Sequence, residues 1–253
     1  SGFIQTKISA TAAQHPAGAD WCYFTALEGV KRYDKHITCC HSSGPRGLAL
    51  APATAFLQAD GALWVNTYES ARAKFAVQGA DVELVQESAF PKAGRVKLTV
   101  HVRESARFAL RFHVPEWAAP LRVGEMGYAA GWAELPAREW RDGDSLELSF
   151  TLQGRTIRGE YTNYARAAFA WGPFILAADT TRNDKFPPLP ELRVVSGGPP
   201  VAVAGTGPAL LFSAQARGPW DDQPRNLTLL PFADAGATGG QYRVWFRAEP
   251  ADR

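Results

Sequence analysis

Alternation of apolar and polar residues with a period of two is the feature that most restricts how this 253-residue chain can fold. Because successive side chains of a β-strand point to opposite faces, an alternating segment buries one face and exposes the other. Turn-forming residues such as Gly, Pro and Asp separate these segments. The pattern predicts a mainly β protein built on an antiparallel β-sandwich. The alternating segments are ALWVNTY (62–68), DVELVQES (81–88), RVKLTVHV (95–102), RFALRFHV (107–114) and SLELSFTL (145–152).

Two stretches rich in Pro and Gly indicate where the chain could change domain. TTRNDKFPPLPE (180–191) follows an apolar segment, and SGGPPVAVAGTGP (196–208) comes shortly after it. We therefore expect a β-sandwich domain over residues 61–180. Residues 181–253 then form a second, smaller β-unit or continue the sandwich. Further strands are predicted at 209–216, 226–232 and 241–246.

One segment has the features of a helix, and it follows a pair of adjacent cysteines. Ser42 or Ser43 can cap it, and Pro45 suits a first turn because proline lacks the N–H that is unsatisfied there. Pro52 is expected to kink it. These residues predict one main helix between about residues 43 and 57.

The cysteine pair lies in HITCCHSSGPRG (36–47), and its residues alone allow three interpretations. Cys39 and Cys40 could be small apolar residues in a buried turn, since free cysteine is often buried. His36 and Cys39 have the spacing of a zinc-ligand pair, and His41 and Cys22 are further candidate ligands. A thiolate close to a helix start, or bound to zinc, could also act as a nucleophile.

Five segments of the chain resemble the C-terminal portion of glycoside hydrolase family 127, the β-L-arabinofuranosidase-like family. The likeness begins at HITCCHSSGPRGLALAP, continues through GALWVNTYESARAKF and FALRFHVPEWA, and extends to REWRDGDSLELSF and RAAFAWGPFILAADTTRN. PFADAGATGGQYRVWF (231–246) is similar to the end of some members. These segments occur in the same order and with similar spacing as in the family, and together they span most of the chain.

The resemblance implies a role for each cysteine. Cys39 would be the nucleophile, and Cys39 and Cys40 would both bind zinc. Tyr23, in YFTAL, and His36 are the residues expected to contact the sugar. Some members carry another cysteine two places before the nucleophile, but this chain has Ile37 there.

The resemblance also implies parts that this sequence does not contain. The family's general acid/base and its remaining zinc ligands, a Glu and a Cys, come from earlier helices of an (α/α)6 barrel. Residues 1–60 would then be the end of that barrel, carrying its last helix, and the missing barrel segment would be a partner. Glu28 is the one local candidate for the acid/base.

The expected function is the C-terminal part of a retaining glycoside hydrolase acting on arabinofuranoside-like sugars with a zinc-bound cysteine nucleophile. We expect it not to be competent as this chain alone. The alternative is a non-catalytic β-sandwich module that packs on a barrel or binds carbohydrate through exposed Trp.

Charge and hydropathy exclude other classes of function. The net charge is +2 without a block of Lys and Arg, so nucleic acid is not an expected partner. No apolar run approaches the roughly 18 residues of a membrane span, so no membrane partner is expected. The first residue is Ser1 rather than Met, which indicates a processed chain or a fragment. We favour a periplasmic or secreted location over a cytoplasmic one.

Overall fold

The computed structural model describes residues 26–31, 38–195, 198–203 and 210–249. Within these ranges the chain forms twenty strands and two α-helices, which confirms a mainly β fold. The helices are α1 (Thr38–Ala49) and α2 (Ala51–Ala55). The strands are β1 (Glu28–Gly29), β2 (Phe56–Ala59), β3 (Ala62–Val65), β4 (Ala71–Val77), β5 (Ala80–Ser88), β6 (Arg95–Val102), β7 (Ala106–Val114), β8 (Leu121–Val123), β9 (Met126–Tyr128), β10 (Gly131–Trp140), β11 (Ser145–Ser149), β12 (Gly154–Arg158), β13 (Arg166–Trp171), β14 (Phe174–Asp179), β15 (Arg193–Val194), β16 (Val201–Val203), β17 (Leu211–Arg217), β18 (Arg225–Pro231), β19 (Tyr242–Arg243) and β20 (Phe246–Ala248).

The chain divides into two compact units. Residues 46–152 form one unit, and the described residues before 46 and after 152 form the other. These bounds do not coincide with the predicted domain bounds at residues 60 and 180. The physical reason is strand pairing, because β13 and β14 pair with β18, β19 and β20 from the end of the chain.

The unit at 46–152 is a β-sandwich of two sheets. One sheet has the strand order β10-β7-β3-β2, and the other has the order β4-β5-β6-β11-β8-β9. Apolar side chains from both sheets form one buried cluster, with Trp140 fully buried beside Phe108. The two rings stack with centroids 5.4 Å apart, and the Trp140 indole N–H donates to the Phe108 carbonyl at 2.9 Å. This core is what the alternating segments of the sequence predicted.

The other unit is built on strands that pair in a closed ring. β13, β14, β18, β17, β15 and β20 pair in that order, and β20 returns to β13. A buried cluster that includes Phe169, Leu176, Phe212 and Phe246 draws side chains from all six strands. Pairing around a ring satisfies backbone groups that an open sheet would leave exposed at its edges.

Two buried polar side chains fix the segment that follows β14. The Asp179 carboxylate accepts from the N–H and hydroxyl of Thr181, each at 2.9 Å, and from the N–H of Gly236 at 2.6 Å. Asn183 donates to the carbonyl of Thr228 and accepts from its N–H, both at 2.9 Å. These bonds tie the segment to β18 and to the turn before β19.

The helical segment differs from the predicted helix at 43–57. The first helix already begins at Thr38, and Pro52 lies in the first turn of α2 rather than within one kinked helix. β2 then starts at Phe56. A break before Pro52 follows from the missing N–H and the steric demand of a proline ring. No helix in the described part of the chain is long and apolar enough to cross a membrane.

Gly94 provides a first test of the sandwich. A methyl group at this position would overlap the carbonyl oxygen of Phe150, whose N–H donates to Gly94 at 2.9 Å. We expect Gly94→Ala to lower the free energy of unfolding of this unit by about 1–3 kcal/mol, the usual cost of forcing extra volume into packed structure. Gly47→Ala is the matched control, because open space surrounds that helical position and alanine favours a helix. Urea denaturation that shows equal stability for both variants would contradict this packing.

Asp179 provides the corresponding test for the other unit. Asp179→Ala removes the acceptor of the Thr181 and Gly236 N–H groups, and a buried donor that loses its partner costs about 1–3 kcal/mol. We therefore expect a clear loss of thermal stability, measured by calorimetry. Asp184→Ala is the control, because Asp184 is exposed in the same segment. Equal melting temperatures for the two variants would show that the Asp179 bonds do not stabilise this fold.

Candidate functional site

The adjacent cysteines lie in the first turn of α1. The sequence predicted that they precede the helix, which is wrong, because the helix begins at Thr38 and includes Cys39 and Cys40. The backbone N–H groups of a first turn have no partners within the helix and form its positive end. Such a position favours a thiolate over a thiol. The first turn contains no acidic residue that would oppose this effect.

Several predicted site residues cannot be placed. Tyr23 and His36 lie outside the described residues, and so do the side chains of Cys39 and Cys40. Among the side chains that are described, no group of three or more His, Cys, Asp or Glu residues could hold a metal ion. The predicted zinc site therefore rests on donor chemistry alone, since thiols are preferred zinc ligands.

Glu28, the local candidate for an acid/base, is held in an ion pair. Its carboxylate oxygen Oε2 lies 2.7 Å from Nη1 of Arg243, and the two residues face each other on the paired strands β1 and β19. Burial lowers the pKa of Arg243, and the charge of Glu28 acts in the opposite direction. The arrangement gives Glu28 a structural role in joining β1 to the sheet.

Other carboxylates lie in a turn or on a solvated sheet face. Asp142 and Asp144 flank the turn between β10 and β11, where Asp144 accepts from the N–H of Arg141 at 3.0 Å. Glu83 lies on the outer face of the six-stranded sheet, opposite Lys74 on one side and His101 on the other. An open groove of about 850 Å³ crosses this face. The opposite charges of Lys74 and Glu83 are neighbours on this face, as on an ordinary solvated surface.

The outer face of the four-stranded sheet carries an unusual set of side chains, which the sequence analysis did not single out. We call this set the outer aromatic surface. It consists of Trp64, Arg111, His113, Trp132 and Glu134. The sequence did contain a signal for it, because both Trp residues occupy outward positions of alternating strands, where polar residues are the rule.

Ring contacts organise this surface. The centroids of Trp64 and Trp132 are 4.8 Å apart with their planes at 75°, and His113 lies 5.1 Å from Trp132. The Arg111 guanidinium lies 4.6 Å from the Trp64 ring centroid and pairs with Glu134 at 2.7 Å. Trp132 nevertheless keeps 50% of its surface exposed. Large exposed apolar groups rimmed by polar ones are typical of binding surfaces.

Comparison with solved structures shows what fold the chain shares. A GH127 beta-L-arabinofuranosidase from Geobacillus stearothermophilus T6 matches with a TM-score of 0.78 and 21% identity, over 96% of this chain and 44% of that one. A protein described as a glycoside hydrolase matches with a TM-score of 0.79 and 18% identity, over 98% of this chain and 46% of that one. A GH127 beta-arabinofuranosidase matches with a TM-score of 0.74 and 19% identity, over 90% and 42% of the respective chains. The chain thus spans less than half the length of these proteins.

The sequence was also compared with protein families and with curated proteins. No curated protein matches the sequence. Residues 62–152 match the family described as beta-L-arabinofuranosidase, GH127 middle domain. This segment covers nearly all of the sandwich unit at 46–152. Residues 62–152 thus match the model of this family's middle domain, and the chain shares its fold with solved GH127 structures.

Proposed function

We propose that this chain is part of a retaining glycoside hydrolase that acts on arabinofuranoside-like sugars. The family match at residues 62–152 carries the proposal, because that family is described as beta-L-arabinofuranosidase. The position of Cys39 in the first turn of α1 supports it, since a nucleophilic cysteine needs an environment that favours the thiolate.

Cys39 is the proposed nucleophile. Its sulfur forms a bond to the anomeric carbon while the glycosidic C–O bond breaks, and an acid/base group gives a proton to the departing oxygen. The same group then takes a proton from the water that displaces the sulfur. Two displacements on the same carbon retain its configuration. Tyr23 and His36 are proposed to contact the sugar during these steps.

Zinc is the proposed cofactor, and Cys39 and Cys40 would hold it. Two thiols at one helix end are suitable donors, but a structural zinc site usually has four ligands, so further ligands must come from elsewhere. When bound, the metal would keep the thiols deprotonated. Within this chain, the first-turn N–H groups act in the same direction, although more weakly.

The acid/base is proposed to come from a segment outside this chain. The local candidate, Glu28, is paired with Arg243 and joins β1 to β19. The matched structures are more than twice as long as the part of them that this chain covers. We therefore propose that a missing barrel segment completes the site and that a carbohydrate is the substrate.

The cysteines can be tested in the complete protein that contains this chain. Cys39→Ser replaces the thiolate by a hydroxyl that ionises far less readily, so we expect turnover of an aryl arabinofuranoside to fall by a factor of about 10³ or more. Cys40→Ser is expected to lower the zinc content first and activity as a consequence. Met126→Ser, at an exposed position on β9, is the control and should retain both. Full activity of Cys39→Ser would exclude Cys39 as the nucleophile.

The role of Glu28 can be tested with the 253-residue chain itself. We expect this chain to hydrolyse aryl arabinofuranosides slowly or not at all, because it supplies the nucleophile without an acid/base. The measurement is release of the aryl group by purified protein, with and without added zinc. Robust turnover that Glu28→Gln abolishes, while the folded state survives by circular dichroism, would instead identify Glu28 as the acid/base.

A further inference from the structure

We propose that the outer aromatic surface of the sandwich is a binding site for a neutral carbohydrate, with Trp132 as its stacking platform. The proposed binding needs no catalytic group. The proposal therefore goes beyond the hydrolase function and can fail or succeed independently of it.

Strand register places the side chains of this surface together. Trp64 on β3 lies opposite Arg111 on β7, and Arg111 lies opposite Glu134 on β10. Two residues further along, His113 lies opposite Trp132. The neighbours in sequence of these residues point into the core, where Phe112 and Val114 are buried. Because successive side chains of a strand point to opposite faces of the sheet, these five side chains all lie on its outward face.

The platform is held in place before any ligand arrives. Trp64 meets Trp132 in an edge-to-face arrangement, which is a favourable geometry for aromatic pairs. The buried hydroxyl of Tyr68 donates to the carbonyl of His113 and so fixes the end of β7. Burial raises the pKa of Tyr68, so this hydroxyl stays protonated as a donor. A ring that is already ordered loses little entropy on binding.

Polar groups border the platform on one side. Arg111 Nε donates to Glu134 Oε2 at 2.7 Å, and Arg111 Nη1 lies 3.8 Å from the Asp60 carboxylate. The side chains of Glu134 and Asp60 are 48% and 79% exposed, so their remaining lone pairs face solvent. The border therefore offers donors and acceptors next to an aromatic plane.

This combination suits a sugar ring. One face of a sugar presents C–H groups, which pack on an aromatic plane, and its edge presents hydroxyl groups, which exchange bonds with water, Arg and carboxylates. The positive charge of Arg111 is balanced by Glu134 and Asp60, so an anionic sugar gains no net attraction. Protein interfaces are also enriched in Trp and Arg, so a protein segment is the alternative occupant that the quenching measurement below distinguishes.

Affinity electrophoresis of the 253-residue chain tests the site. Native gels that contain soluble arabinan are compared with gels that contain no polysaccharide. We expect arabinan to retard the unmodified chain, and Trp132→Ala to weaken the association constant by a factor of about ten or more, because the stacking plane is lost. Glu134→Gln is a second variant, expected to weaken binding less while it keeps the fold.

Trp220→Ala is the matched control. Trp220 is 92% exposed in the loop between β17 and β18, so its removal should leave retardation unchanged. Circular dichroism confirms that each variant is folded.

The proposal is overturned if arabinan does not retard the chain, or if Trp132→Ala binds as well as Trp220→Ala. It is also overturned if Trp132 resists acrylamide quenching in the complete protein, because a protein segment would then cover the surface. Hydrolase activity is not measured, so failure here leaves the proposed function untouched.

Discussion

The alternation of side chains along β7 is the constraint on which the sandwich depends. β7 lies between β3 and β10 in the four-stranded sheet. Its inward residues Phe108, Leu110 and Phe112 are buried in the core. Its outward residues Arg111 and His113 take part in the outer aromatic surface. A shift of register by one residue would exchange the two sets and place charge in the core. The same pleat thus determines both the packing and the proposed binding surface.

The proposed chemistry depends on a different feature, the start of α1. The helix places its first-turn N–H groups beside the cysteine pair, and no acidic residue in that turn weakens their effect. A helix end favours a thiolate only modestly, by about 0.3–1 kcal/mol at an exposed site. A nucleophile that works at neutral pH needs more than that. The proposed zinc would supply the difference, and the proposed barrel segment that completes its ligands would then be part of the mechanism.

The second unit shows how distant parts of the chain become one structure. β13 and β14 form a hairpin, yet each also pairs with strands more than 50 residues further along. Asp179 and Asn183 then bind backbone groups of the turn before β19 and of β18. A Pro-rich segment after residue 180 looks like a linker in the sequence. In the structure it is fixed by these buried hydrogen bonds.

The strands can be located from the sequence, because alternation with a period of two records which face of each strand is buried. Segments 81–88, 95–102 and 107–114 lie within β5, β6 and β7. The motifs of the sequence also resembled the family whose middle domain matches residues 62–152. The unit bounds, the helix start at Thr38 and the contact between Trp64 and Trp132 became visible only in the folded chain. The unit bounds and the Trp64–Trp132 contact depend on which strands pair across long separations, and that pairing is set by packing of the whole chain rather than by local periodicity.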